Sequence, residues 1–142
     1  MGERKTGGRI HPGLYFLIIL PIPFWGQSGV RAMGVEPAVI LTKQDNGKEA
    51  RVRGGQSFQV RLEGMGGTGY WWYVQPLDGR HVDLISEKTE AGKEGRVGGP
   101  SLGIWTFRAK DPGTTEIKMD YYRAWEGVER AAERFRVKII VE

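Results

Sequence analysis

Gly64-Met65-Gly66-Gly67-Thr68-Gly69 satisfies the letter of GxGxxG, the pattern in which glycine main chain approaches a dinucleotide pyrophosphate. That chemistry needs a helix N-terminus behind the glycines to receive the phosphates. Here Tyr70, Trp71, Trp72, Tyr73 and Val74 follow, residue types that favour strand. The segment therefore predicts a loop between two strands, where glycine permits positive φ and lets main chain press into a cleft that side chains would block. Two further segments are of similar kind. Gly98-Gly99-Pro100-Ser101 reads as a tight turn ahead of Trp105, and Arg123-Ala124-Trp125-Glu126 follows the Tyr121-Tyr122 end of a strand pattern. An arginine and a tryptophan just past a strand are poorly explained as core. Each offers large contact area with directional polar groups, the profile of a binding anchor.

Catalytic alternatives are thin. The 142 residues include no Cys and two His, which excludes thiolate metal sites, disulfides and a cysteine nucleophile, and leaves little for zinc or Ser-His catalysis. His81, beside Arg80 and Asp83, reads as a solitary surface histidine. Glu87 with Glu90, or Asp120 with Glu126, are the carboxylate pairs that glycoside hydrolysis would use. That chemistry also requires a set separation and an apolar pocket that raises one pKa. No credible set of acid, base and nucleophile emerges, so the residues point to a binding protein without metal or cofactor rather than to an enzyme. One binding alternative is a secreted carbohydrate-binding or adhesive β-sandwich module. Strand parity puts Trp71 and Tyr73 outward or over a sheet edge, and with Trp125 they would offer stacking platforms, while Trp72 shares the core face with Tyr70 and Val74.

Nucleic acid is disfavoured by where the charge lies. The 21 Lys and Arg against 17 Asp and Glu give a net of +4. Arg4, Lys5, Arg9 and Arg31, with Glu3 as the one acid, account for most of it, leaving 17 basic against 16 acidic residues over 33–142. A phosphate-binding face has little support from a net of +1. Arg51-Val52-Arg53-Gly54-Gly55 resembles an RGG box over a single unit only, and reads as a turn.

The elements that must hold these loops have period two. Phe58, Val60 and Leu62 alternate with polar neighbours; so do Trp105, Phe107 and Ala109, then Ile117, Met119 and Tyr121, then Phe135, Val137, Ile139 and Val141. This is the mark of half-buried strands. Fainter strands fall at 39–42, 49–53, 70–75 and 82–88, with turn signals at 45–47, 54–55, 78–79, 98–100 and 111–113. Seven or eight short strands at this spacing predict an all-β sandwich, with a barrel as the alternative. Only 127–134 (GVERAAER) has helix-forming composition, for one or two turns at most.

Ahead of this domain, residues 1–13 are basic and glycine-rich, residues 14–20 (LYFLIIL) lack a polar side chain, and Pro21 and Pro23 follow. A basic n-region, a short apolar h-region and then small residues are the order of a secretory signal. The apolar run is too short for a span that needs ~20 residues. Residues 1–32 therefore read as a signal peptide or N-terminal leader, cut after Gly29 or Ala32, and 33–142 as one exported domain. An uncleaved anchor and a true start at Met33 are the competing explanations. Without disulfides such a domain depends on its core alone.

Taken in order, the three loops resemble the chagasin family of protein inhibitors of papain-like cysteine peptidases. That family carries an Asn-Pro-Thr-Thr-Gly-Tyr/Phe loop, a Gly-rich loop and an Arg-Pro-Trp/Phe loop on an immunoglobulin-like sandwich. The resemblance covers roughly residues 48–142. Thr68, Gly69 and Tyr70 match in the first loop, and Trp72 fits the continuation; Met65, Gly66 and Gly67 replace Asn, Pro and Thr. Val97, Gly98, Gly99 and Pro100 lead to Trp105-Thr106-Phe107, with Ser101 in place of a last glycine. Arg123 and Trp125 match in the third loop, with Ala124 for proline. These departures bear on affinity and target choice more than on fold, because a loop that gains glycines and loses proline has a higher ordering cost on binding.

The resemblance implies an immunoglobulin-like β-sandwich of seven to eight strands and a reversible, noncovalent, monomeric inhibitor that occludes the cleft of a papain-like cysteine peptidase. It also implies a wedge of three loops: Met65, Gly66, Gly67, Thr68, Gly69 and Tyr70 over the catalytic centre, flanked by Gly98, Gly99, Pro100 and Ser101 on one side and Arg123, Ala124 and Trp125 on the other. With the leader it would work in a secreted or periplasmic setting.

Overall fold

The computed structural model describes residues 36–92 and 98–142, so the leader and Val97 lie outside the described residues. Eight strands occupy them: β1 (Val39–Leu41), β2 (Glu49–Val52), β3 (Ser57–Gly64), β4 (Tyr70–Val74), β5 (Val82–Ala91), β6 (Ser101–Ala109), β7 (Gly113–Arg123) and β8 (Glu133–Val141). They form two four-stranded sheets, ordered β1-β3-β6-β5 and β2-β8-β7-β4. The fold is the all-β sandwich that the alternating residues predict.

Register shows why the alternation works. In the first sheet Phe58 lies opposite Phe107 and Val60 opposite Trp105; in the second Ile117 lies opposite Val137 and Met119 opposite Phe135. Each of these apolar positions is therefore matched by another across the ladder, and all eight are buried. The rings of Phe58 and Phe107 stack at 5.2 Å. Each such side chain contributes ~1.5–3 kcal/mol on burial, which is how a domain without cysteines can hold together. Two of the short edge strands run parallel to their neighbours, β1 to β3 and β2 to β8. A third edge, β5, carries Asp83, Glu87, Lys88 and Glu90, charges that discourage edge-to-edge pairing.

Several details differ from the sequence expectation, each for a local reason. Residues 127–134 give one 3-10 turn, Val128–Arg130, because β8 pairing takes over at Glu133. Arg123 is the last residue of β7, paired with Tyr70, and not a residue beyond the strand. Likewise Ser101 opens β6, paired with Gly64 and Ala91. His81 is no surface histidine. Its side chain is 13 % exposed, its Nδ1 lies 2.8 Å from the Asp111 carbonyl, and it packs where a Cβ on Gly113 would sit.

Neither carboxylate pair forms: Glu87 and Glu90, three residues apart on β5, fall on opposite faces of the strand. Asp120 is buried on β7, with its Oδ1 2.8 Å from Arg136 and 3.4 Å from Arg134, while Glu126 lies beyond the strand end, 3.6 Å from Arg123. Arg51 sits in β2, and Gly54-Gly55 form the turn after it, with Gly55 at φ +86°. Glu142, hydrogen-bonded to Arg51 at 2.7 Å, raises the guanidinium pKa, which leaves its charge as it was.

Candidate functional site

Topology brings the three loops to one pole. The first loop leaves β3 in one sheet and enters β4 in the other; the second joins β5 to β6 within the first sheet; the third joins β7 to β8 within the second. Because Gly64 pairs with Ser101 and Tyr70 with Arg123, all three connections emerge on the same side of the sandwich. Met65 of the first loop and Pro100 of the second line one groove of about 840 Å³, which continues past Tyr121 to the Lys43–Glu133 ion pair.

No helix follows the glycines of the first loop. Residues Gly66–Thr68 make one 3-10 turn and Tyr70 starts β4, so the GxGxxG match carries no dinucleotide site. The turn is closed locally: the Thr68 hydroxyl and amide both donate to the Met65 carbonyl, at 2.6 and 3.0 Å, and the Gly69 amide donates to the Gly66 carbonyl at 3.0 Å. Gly69 then takes φ +83°, ψ −9°, a left-handed conformation that costs an L-residue ~1–2 kcal/mol. Thr68, Gly66 and Gly67 are exposed, and Met65 is 41 % exposed despite its apolar side chain.

Trp125 lies directly on Gly69. A Cβ added there would come within 3.0 Å of Cζ3 and 3.1 Å of Cζ2 of the indole, and closer still to Cη2. The ring is nonetheless 72 % exposed, so it is a surface feature resting on main chain and not a lid over the core. The third loop turns tightly, with the Glu126 amide donating to the Arg123 carbonyl at 2.9 Å and Gly127 at φ +87°; Ala124 at its tip is exposed.

A ladder of π-faces runs from the core to this tip. Trp72 is buried, its Nε1–H donating to the Glu63 carbonyl at 2.9 Å. Its ring lies 5.0 Å from Tyr121, and Tyr121 lies 5.4 Å from Tyr70. The Arg123 guanidinium sits 4.5 Å over Tyr70 and 5.8 Å from the Trp125 ring. Such aromatic and cation–π neighbours each add ~0.5–1.5 kcal/mol beyond area burial, so the exposed end is braced by the buried one.

In the second loop Gly98 has φ +81° and is exposed, as is Pro100, whose carbonyl accepts from the Gly92 amide at 3.0 Å. The connection therefore runs from Gly92 to Pro100 and is longer than the tight turn that residues 98–101 predict.

Thus the structure gathers all thirteen expected site residues at one pole, with Tyr70, Ser101 and Arg123 as strand ends and not loop members. Tyr121 is a member that sequence reading leaves out: its hydroxyl accepts from the Met65 amide at 2.9 Å. The available signal is parity, since Tyr121 lies two residues before Arg123 on one face of β7. The carbohydrate platform loses a member, because the Trp71 ring wraps the sheet edge to lie against Gly64 and 6.1 Å from Trp105. Among the described residues no group of three His, Asp or Glu side chains could hold a metal ion.

Known proteins share sequence and fold with this chain. Residues 51–139 match the family described as chagasin family peptidase inhibitor I42. Amoebiasin-2 of Entamoeba histolytica is 30% identical over 88 residues, which span 61% of this chain and 72% of that protein. The crystal structure of EhICP2, a cysteine protease inhibitor from Entamoeba histolytica, superposes with a TM-score of 0.66 at 21% identity, covering 75% of this chain and 100% of that one. PbICP-C, solved in complex with falcipain-2, superposes with a TM-score of 0.55 at 18% identity, covering 72% of this chain and 89% of that one. At these identities the two structures speak for the fold.

Proposed function

Since the chain belongs to the chagasin family of peptidase inhibitors, we propose that it inhibits papain-like cysteine peptidases reversibly, by lodging its three-loop pole in the active-site cleft. A peptidase of this kind must bring a scissile carbonyl to attack distance from its thiolate. A loop that fills the groove with its carbonyls misplaced blocks turnover without being cut. The first loop is suited to this because glycine at 66, 67 and 69 presents main chain with no side chain to hold it away from the enzyme. Thr68 adds the one hydroxyl of the tip, although in the free protein it is engaged with Met65.

The flanking loops grip the walls. Trp125 supplies an exposed indole, and Gly98, Gly99 and Pro100 a second contact strip from the other sheet. Contact of this kind buries on the order of 1,600 Å². The reading includes a monomer that acts outside the cytosol, with residues 1–32 as an export leader and no membrane or nucleic-acid partner for the domain.

The observation that carries this reading is the convergence of the three loops, fixed by the pairing of Gly64 with Ser101 and of Tyr70 with Arg123. Titration of residues 33–142 against papain tests it, followed by gel filtration of the mixture. Stoichiometric loss of activity and a 1:1 complex are expected. Full activity at micromolar inhibitor against papain and related enzymes would refute it, and binding on a glycan array would then favour the carbohydrate module.

A further inference from the structure

A loop with glycine at 66, 67 and 69 samples many conformations when nothing restrains it. Here it is restrained from outside, by three residues of a single strand and its extension. Tyr121 accepts from the Met65 amide at the loop's start, Arg123 donates from Nε to the Thr68 carbonyl at 3.0 Å, and Trp125 covers Gly69 at its end. Tyr121 and Arg123 are positions i and i+2 of β7, and Trp125 lies in the turn that follows it. The middle contact matters most, because it fixes a peptide plane. The Thr68 carbonyl is held by Arg123, and the amide of the same peptide bond, on Gly69, is held by Gly66, so the plane that sets the left-handed turn is gripped on both edges.

We infer that Arg123 is a positioning residue, whose guanidinium holds the first loop in its binding shape before any peptidase arrives. The inference rests on the first loop being the inhibitory one, as proposed above. Arg123 is itself immobilised, stacked over Tyr70 and 3.6 Å from the Glu126 carboxylate. Its planar fork is what allows Nε to donate sideways while the flat face stays on the ring. A lysine ammonium keeps the charge but has neither the plane nor a donor part-way along the stem. The first and third loops are then one preorganised unit, and part of what an Arg123 substitution removes is the free loop's order and not a contact to the enzyme.

The test uses Arg123→Lys and Arg123→Gln, the second of which keeps a planar N–H donor at the position of Nε without the charge. In the free protein, amide order parameters at Thr68 and Gly69 are expected near ~0.85 and to fall below ~0.6 in Arg123→Lys. If the competent shape drops to about a tenth of the population, inhibition of papain weakens ~tenfold. Arg123→Gln keeps a donor for the Thr68 carbonyl and should lose ~2–5-fold less inhibition than Arg123→Lys, with order parameters between those of wild type and Arg123→Lys. Unchanged order parameters in Arg123→Lys overturn the inference, and so does inhibition lost equally in Arg123→Lys and Arg123→Gln, the behaviour of a residue that merely touches the enzyme. Should none of the proteins, wild type included, inhibit papain, the proposed function fails while the order parameters still decide what Arg123 holds.

Discussion

Replacing Gly69 by alanine separates the cost of the fold from the cost of function. The backbone at φ +83° charges an L-residue ~1–2 kcal/mol. The new Cβ also overlaps the Trp125 indole, with Cζ3 and Cζ2 at 3.0 and 3.1 Å. A ring that is 72 % exposed can swing into water without opening the core, so this overlap adds little to the folding cost. The melting temperature should therefore fall by no more than ~8–16 °C, using ~4–8 °C per kcal/mol for a domain near this size. Inhibition pays twice, once for driving the relaxed turn back to positive φ and once for an anchor indole that no longer rests where it did. With ~1–2 kcal/mol for the first and ~2 kcal/mol for the second, the inhibition constant for papain should rise by roughly two to three orders of magnitude. In a Trp125→Ala background the overlap is gone, so the two substitutions should be less than additive by ~1 kcal/mol or more. An inhibition constant for Gly69→Ala within threefold of wild type, or strict additivity, would refute the argument that these residues act as one surface.

Two other substitutions have contrasting outcomes. Trp125→Ala should weaken papain inhibition by at least ~2 kcal/mol, about thirtyfold, while calorimetry shows a nearly unchanged melt because little core is lost. Gly103→Ala should do the reverse: its Cβ would press on the Trp105 ring, 3.1 Å from Cζ2 and nearer to other atoms, and that ring is 1 % exposed and has nowhere to go. Overpacking of this kind costs ~1–3 kcal/mol, seen as a lowered denaturation midpoint.

Both glycines lie beneath a tryptophan, and nothing in the sequence tells them apart. What the sequence does carry is the pattern on paired central strands, where burial on one face imposes period two; β3, β6, β7 and β8 were legible for that reason. The edge strands carry less of it. In β5 only Val82 is buried, so residues 89–91 read as ordinary polar surface and the strand extends past the expected end at 88. Parity also fails at an edge: Trp71 points outward by count, but with no neighbouring strand beside it the ring folds round to Gly64 and Trp105. The loop residues were legible as types, while their mutual contacts were not. That Arg123 reaches the Thr68 carbonyl depends on Tyr70 and Arg123 being register partners, a pairing 53 residues apart in sequence.

The first loop crosses from one sheet to the other, while its two neighbours each belong to a single sheet. The gap between the jaws is therefore set by how the two layers are spaced and rotated, and that is decided by side chains such as Phe58, Phe107, Val137 and Ile139 in the middle of the sandwich. Close-packed interiors pass small volume changes on as rigid displacements. A methylene gained or lost there would re-gauge the mouth of the molecule from a distance, making the core a place to tune which enzymes fit.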